Sequence, residues 1–380
     1  MKKLFLASAV ASALAAPAVA LAQAPAAKPS LPTLGEILDA SGIAIDGYID
    51  AAYTHLSGTG LFTSGVANRV FDTERNSFIL HQAAITIAKQ PKEGFGGLVN
   101  LTAGKDANII APFDANPGAK SNFDVTQAFA QYATGPLTVI AGKYVTAAGA
   151  EVIKSPSNVN YSRSILFGYA IPFTHTGARA TYALGDVVTL IGGLNNGWDD
   201  LKDTNSQKTW ELGVLLTPIK PLTISIVDYV GTERVGGLTS VGPEGSRNIF
   251  DVVATWAATD KLTLALNYDY GTQDNTATVT PRGATKAKWT GVAGYGTYQF
   301  TDLWRLSVRA EYFDDEDGYR TGVVQKWKEG TLTLGFLPAK SFELRAEIRY
   351  DKSDVASFVK AGGSTSKSQT SYGLEALYKF

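Results

Sequence analysis

The chain has no cysteine, so neither disulfides nor thiolate metal sites contribute to its fold. Only three histidines are present, His55, His81 and His175, and no metal-ligand motif contains them. No glycine-rich phosphate loop precedes a helix pattern, so nucleotide binding has no support. After residue 22 no run of about 18 apolar residues remains, which argues against membrane-spanning helices. Positive charge is also scarce. The 34 Lys and Arg, less Lys2 and Lys3 of the signal peptide described below, face 35 Asp and Glu and leave a formal charge of −3. That balance does not suit a nucleic-acid binder.

What the chain does have is aromatics and turn formers: 17 Tyr, 17 Phe, 6 Trp and 38 Gly. Such a composition, without Leu-dense blocks, suits β-sheet with many turns. The N-terminus reads differently. Lys2 and Lys3, the apolar run Leu4–Leu14 and the small residues Ala20 and Ala22 give a secretory signal peptide over residues 1–22. Residues 23–42 form a periplasmic leader. Within it Leu34, Ile37 and Leu38 have helical spacing, leaving a short amphipathic helix and an unstructured leader as equal readings.

From residue 43 the apolar period becomes two. Leu262, Leu264, Leu266, Tyr268 and Tyr270 oppose Thr263, Ala265, Asn267 and Asp269. Trp304–Tyr312 and Phe342–Tyr350 repeat the pattern. These segments run about nine to eleven residues, enough to cross a bilayer at a tilt. The chain ends in the same rhythm, with Tyr372, Leu374, Ala376, Tyr378 and Phe380 on one face and Gly373, Glu375 and Lys379 on the other, Leu377 excepted. An apolar terminal strand with a free edge is an aggregation hazard in water. It is explained if that strand closes a barrel in lipid, where every backbone group must be paired.

Tight turns are expected at 91–94, 134–136, 184–186, 218–221, 259–261, 301–303 and 338–341. Longer polar stretches fall at 55–77, 106–122, 145–172, 195–207, 232–247, 272–286, 314–322 and 352–367. Their alternation predicts an all-β, transmembrane antiparallel β-barrel of about sixteen strands over residues 43–380, with short periplasmic turns and long outer loops. The weakest segment is Asp124–Ala133. A barrel of this size leaves an aqueous lumen, which implies passive diffusion of small polar solutes or ions.

The loop 145–172 is long, stiffened by Pro156 and Pro172, and mixed in charge. It is expected to fold inward and narrow the pore, with Glu151, Lys154, Tyr161, Arg163 and Arg179 as constriction candidates. The other reading is an outward loop at the cell surface. A second group, Arg305, Arg309, Glu311, Glu343, Arg345, Glu347 and Arg349, forms a charged ladder on the lumen wall, for which mutual neutralisation outweighs ion selection. The run Asp314–Asp317 reads as a solvated surface charge run rather than a Ca²⁺ loop.

Gly149–Ile153, Pro156–Asn158, Asn160–Arg163 and Ile171–Gly177 with Arg179 resemble the loop region of the putative β-barrel porin-2 (OmpL-like) family, and Gly47–Ala52 resembles its first strand. The resemblance covers roughly residues 43–380 and implies a porin in the outer membrane of a Gram-negative-type bacterium. Tyr378 and Phe380 are similar to the C-terminal signal read by the barrel-assembly machinery. Outer-membrane lipids, lipopolysaccharide and small polar solutes are the other implied partners, with a homotrimer suggested by sixteen-strand porins in general. No cofactor is implied. An outer-membrane hydrolase is the enzyme alternative, with Ser164 near His175 in sequence, and a non-channel structural or adhesive barrel is another. The chain is read as a non-enzyme.

Overall fold

A computed structural model describes residues 33–112, 121–235 and 242–380. The expected signal peptide and the leader to residue 32 lie outside the described residues. The first element is helix α1 (Leu34–Ser41). Thr33 caps it: its hydroxyl accepts the Glu36 N–H, and its own N–H donates to the Glu36 carboxylate at 2.7 Å. Such reciprocal bonds satisfy two orphan donors. Gly42 ends the helix at φ 68°, where glycine is favoured. No residue of α1 is buried, and no described helix is long and apolar enough to cross a membrane.

The strands are β1 (Ala44–Leu56), β2 (Gly58–Phe62), β3 (Ser77–Lys89), β4 (Gly94–Ala103), β5 (Phe123–Thr134), β6 (Leu137–Val145), β7 (Thr174–Ala183), β8 (Val188–Asn195), β9 (Thr209–Ile219) and β10 (Leu222–Arg234). They continue as β11 (Glu244–Ala257), β12 (Leu262–Asp274), β13 (Lys286–Thr301), β14 (Trp304–Asp315), β15 (Gln325–Ala339), β16 (Phe342–Ser353), β17 (Phe358–Lys360), β18 (Thr365–Ser366) and β19 (Ser368–Lys379). Short α2 (Ala107–Ile110) sits between β4 and β5. All strands except β2, β17 and β18 form one closed barrel in which each pairs with its chain neighbour and β1 pairs with β19. The barrel therefore has sixteen strands, as the turn rhythm predicts, and the weak segment is β5. The three short strands make a small sheet among the loops.

Side chains alternate across this wall as a pleated strand requires. On β12, Leu264, Leu266, Tyr268 and Tyr270 are exposed while Asn267 and Asp269 are buried inside. Exposed aromatics ring the outer surface near the short turns, including Trp256, Tyr298, Trp304 and Tyr378. A second set lies toward the long loops, with Tyr53 against Phe78 at 4.9 Å and Trp210, Phe250 and Tyr372 exposed. Two such belts mark the edges of an apolar band.

Two expectations need correction. The inner wall is not polar throughout: Tyr229, Ile249, Trp289, Phe313 and Trp327 join Phe62, Phe71, Trp198 and the loop residues Ile165–Phe173 in an apolar core inside the barrel. A loop that packs within a lumen brings apolar side chains, and these bury best against apolar wall positions. The acidic run is solvated only in part: Glu316 is exposed and Asp314 half-buried, but the other two acids face inward. Asp315 is fully buried and accepts the Arg320 and Thr321 N–H groups, and Asp317 accepts the Lys288 N–H.

Candidate functional site

The loop 146–173 connects β6 to β7 and enters the barrel. An irregular backbone away from water must find partners for its N–H and C=O groups, and the wall supplies them. At the loop's root, Ala147 N–H donates to the Tyr229 hydroxyl at 3.0 Å, and that hydroxyl donates to Glu211 at 2.8 Å. Arg179 pairs with Glu211 at 2.7 Å, donates to Val145 O at 3.1 Å and lies 4.4 Å over the Tyr144 ring. Further in, Ala150 N–H donates to Asn267 at 3.0 Å.

The charged ladder of β14, β15 and β16 forms the deepest cradle. Carboxylates take loop amides: Glu347 accepts from Tyr161 N–H at 2.7 Å and Ser162 N–H at 3.0 Å, and Glu311 from Ile165 N–H and Leu166 N–H at 3.0 and 3.1 Å. Guanidiniums take loop carbonyls: Arg309 donates to Ser162 O at 2.7 Å, Arg345 to Asn158 O at 2.8 Å, and Arg349 to Arg163 O at 2.7 Å. The same groups neutralise one another. Arg309 pairs with Glu151 at 2.7 Å, Glu311 at 3.1 Å and Glu329 at 2.7 Å. Arg345 pairs with Glu343 and Glu375, and Arg305 with Glu343 at 2.6 Å. Charge-assisted bonds of this kind are about twice as strong as neutral ones.

The five constriction candidates do not form one ring. Glu151, Tyr161 and Arg163 are each about 5% exposed and act as internal ties. Arg163 donates to Ile153 O, Ser155 Oγ and Tyr161 O of its own loop and lies 5.4 Å from the Phe71 ring centre. The Tyr161 hydroxyl bonds Thr54 Oγ1 and His81 Nε2 on the wall, and His81 Nδ1 lies 3.0 Å from Asp106. The Tyr161 ring rests on Gly373, where a Cβ would come within 2.5 Å of it. Lys154 is different: its side chain is 47% exposed and pairs at 2.7 Å with Asp46, near the short-turn end of β1. Arg179 keeps partial exposure beside the loop root. Toward the short-turn ends of β7, β10, β11 and β13, the inward residues Thr181, Ser225, Thr255 and Thr297 are only partly buried.

Sequence reasoning missed Arg69, which pairs with Asp72 and Asp351, both at 2.9 Å, and ties the loop 57–76 to the wall. Burial alone would raise the Asp72 carboxyl, but the Arg69 and Arg349 guanidiniums hold it below its usual range. No spacing rule marks such a pair 282 residues apart. Ser164 and His175 are not brought together. The Ser164 hydroxyl accepts the Phe167 N–H, while His175 stacks on Tyr229 at 4.4 Å with Nδ1 at 3.0 Å from Gly197 O.

Asp199 pins the end of the loop: one carboxylate oxygen accepts the Phe173 and Thr174 N–H groups, each at 2.8 Å. Burial pushes this carboxyl up to about 6 despite those bonds. The folded loop therefore takes up a proton that the unfolded chain releases near pH 4, and stability falls as pH rises through that window. Asp199→Asn keeps the accepting oxygen and should abolish this dependence, whereas Asp199→Ala should lose both bonds. Thermal unfolding in detergent at pH 4 and pH 7 reads the difference.

The sequence model of the family described as "Putative beta-barrel porin-2, OmpL-like" matches residues 42–380. Comparison with curated proteins returns no match. Among solved structures, the chain resembles the outer-membrane channel DcaP of Acinetobacter baumannii, with TM-score 0.61, 13% identity and coverage of 89% of this chain and 97% of that one. It also resembles the anion-selective porin from Comamonas acidovorans, with TM-score 0.60, 11% identity and coverage of 89% and 99%. In vitro folded OmpT of Vibrio cholerae, in its trimer form, matches with TM-score 0.58, 14% identity and coverage of 89% and 99%. At these identities the likeness is one of fold.

Proposed function

The chain belongs to the putative β-barrel porin-2 (OmpL-like) family, and from that premise we propose that it passes small polar solutes or ions by diffusion through a lumen narrowed by loop 146–173. The family and the barrel fold place it in the outer membrane of a Gram-negative-type bacterium, and its structural neighbours are channels rather than enzymes. The observation that carries the proposal is the loop's attachment across the lumen to the ladder of β14–β16. That attachment narrows the lumen at the level of the loop, and the half-buried Thr181, Ser225, Thr255 and Thr297 line its short-turn end. In this reading the signal peptide 1–22 is removed on export, and residues 23–42 remain as a periplasmic leader. The barrel-assembly machinery reads the terminal strand, lipopolysaccharide and lipid surround the wall, and three copies associate as in the OmpT trimer form.

The charges that keep exposure in this reading are Lys154 and Arg179, because Arg163 bonds within the loop and Glu151 is buried against Arg309 of the wall. Planar-bilayer recording of the purified protein should give discrete conductance steps. In a salt gradient, Lys154→Gln should shift the reversal potential toward cation preference. Absence of steps from folded barrels would sink the channel reading. An unchanged reversal potential in both Lys154→Gln and Arg179→Gln would sink the assignment of these residues.

A further inference from the structure

A cavity of about 590 Å³ opens among the long loops, on the opposite side of the apolar core from the short turns. Its lining includes Phe173, Trp198, Arg247, Tyr319 and Arg320, a size and composition typical of small-molecule sites. Both arginines lie against aromatic rings. The Arg247 guanidinium sits 5.1 Å from the Trp198 ring centre, and that of Arg320 is 5.7 Å from Trp198 and 5.3 Å from Trp289. Among the described residues neither is in an ion pair, whereas Arg69, Arg179, Arg309, Arg345 and Arg349 each are. Arg247 donates to Gln273, Arg234 O and Tyr319, and Arg320 to Tyr169 O. Asp199, itself in the lining, and Asp315 act on Arg320 through space, and Glu233 on Arg247, yet none is within ion-pair distance. Asp199 accepts from Phe173 and Thr174 N–H, Asp315 from Arg320 and Thr321 N–H, and Glu233 from Thr209. The Trp198 indole N–H is buried with no acceptor, which is costly unless something fills the need. Burial and the neighbouring Arg247 charge both work against the Arg320 cation, and an anion placed between the two guanidiniums relieves that opposition.

We propose that this cavity is a binding site for an organic carboxylate with a flat apolar body, an aryl carboxylate, taken up from the loop side. The carboxylate accepts from Arg247 and Arg320, whose forked donors match it. The ring packs against Phe173 and Trp198, where stacking and apolar burial add to the charge contact. The site deepens the channel reading by naming a solute class, and it makes that solute dwell at the mouth before passage.

The test is equilibrium titration of the full detergent-folded protein with benzoate, read by tryptophan fluorescence and by calorimetry. Acetate, inorganic phosphate and benzylamine serve as comparison ligands. Benzoate should saturate, and acetate, phosphate and benzylamine should each bind at least about tenfold more weakly. Arg247→Gln and Arg320→Gln should each weaken benzoate about tenfold or more, the loss of one charge-assisted contact. Heat-modifiable migration confirms that each variant is folded, and Arg282→Gln, an exposed loop arginine, should bind as the parent does. No saturable benzoate binding, equal binding of acetate, or unaltered affinity in both arginine variants overturns the proposal. Bilayer conductance is scored separately. Conductance without benzoate binding sinks only this site, and binding without conductance sinks only the channel.

Discussion

Arg309→Met should release the inward loop and raise single-channel conductance several-fold while the barrel itself stays assembled. Arg309 is 2% exposed and is surrounded by Glu151, Glu311 and Glu329, all within 3.1 Å of its guanidinium. It also holds Ser162 O. Removing one partner of a buried ionic network leaves uncompensated charge, at a cost of about 3–5 kcal/mol. Here that cost falls on three carboxylates at once, two of which also grip loop amides or the far end of the loop. The strand ladder does not depend on this side chain, because β14 is paired by backbone with β13 and β15 along its whole length. The least costly relief is for the loop to leave the wall and let water reach the acids. The expected signs are larger conductance steps, new protease cleavage within residues 146–173, and retained heat-modifiable migration. A Glu329→Gln partner change should restore part of the closed behaviour by removing one of the stranded charges. Unchanged conductance together with an uncut loop would refute the view that this ladder holds the loop in place.

The barrel was legible in the sequence because two short-range signals agree. Period-two alternation gave β12, β14 and β16, and the Pro-, Gly- and Asp-bearing turns gave the hairpin rhythm. Even Leu377, the residue that breaks the terminal pattern, faces inward and is buried as its parity demands. The interior was less legible. Alternation separates two faces of a strand but does not say whether the inner face meets water or a loop. Trp289 and Trp327 were therefore invisible as core residues, although both are fully buried. The ladder was visible as seven charged positions. Its work as a cradle for loop amides and carbonyls was not, since that depends on where residues 158–166 lie in space. Glu151 and Arg163 stood out as charges in a loop, and burial turned both into ties rather than pore-facing groups. The cavity arginines were missed because Arg247 and Arg320 lie 73 positions apart and come together only where the long loops pack over the barrel.

Deleting Tyr378–Phe380 should reduce the assembled outer-membrane form at least about tenfold, and far more than Phe380→Ala. The seam between β1 and β19 is the last closure of the sheet, running from Tyr48 opposite Lys379 to Leu56 opposite Ser371. Phe380 completes it by exchanging both backbone bonds with Gly47, each at 2.9 Å. On the other side, Tyr378 is the partner of Phe342 and Lys379 N–H donates to Ser341 O at 2.7 Å. The deletion therefore opens two strand edges at the short-turn rim. Within hydrocarbon each unpaired backbone group costs several kcal/mol. Phe380→Ala keeps the backbone and removes only a ring that packs over Gly47, where an added Cβ would approach to 2.5 Å. Three outcomes of heat-modifiable migration in membrane fractions separate the causes. Loss in both variants assigns the effect to the aromatic signal read during assembly. Loss in the deletion alone assigns it to backbone closure. Full assembly of the deletion would mean that neither the seam's end nor its terminal aromatics matter, and the account of closure given by β1 and β19 would fail.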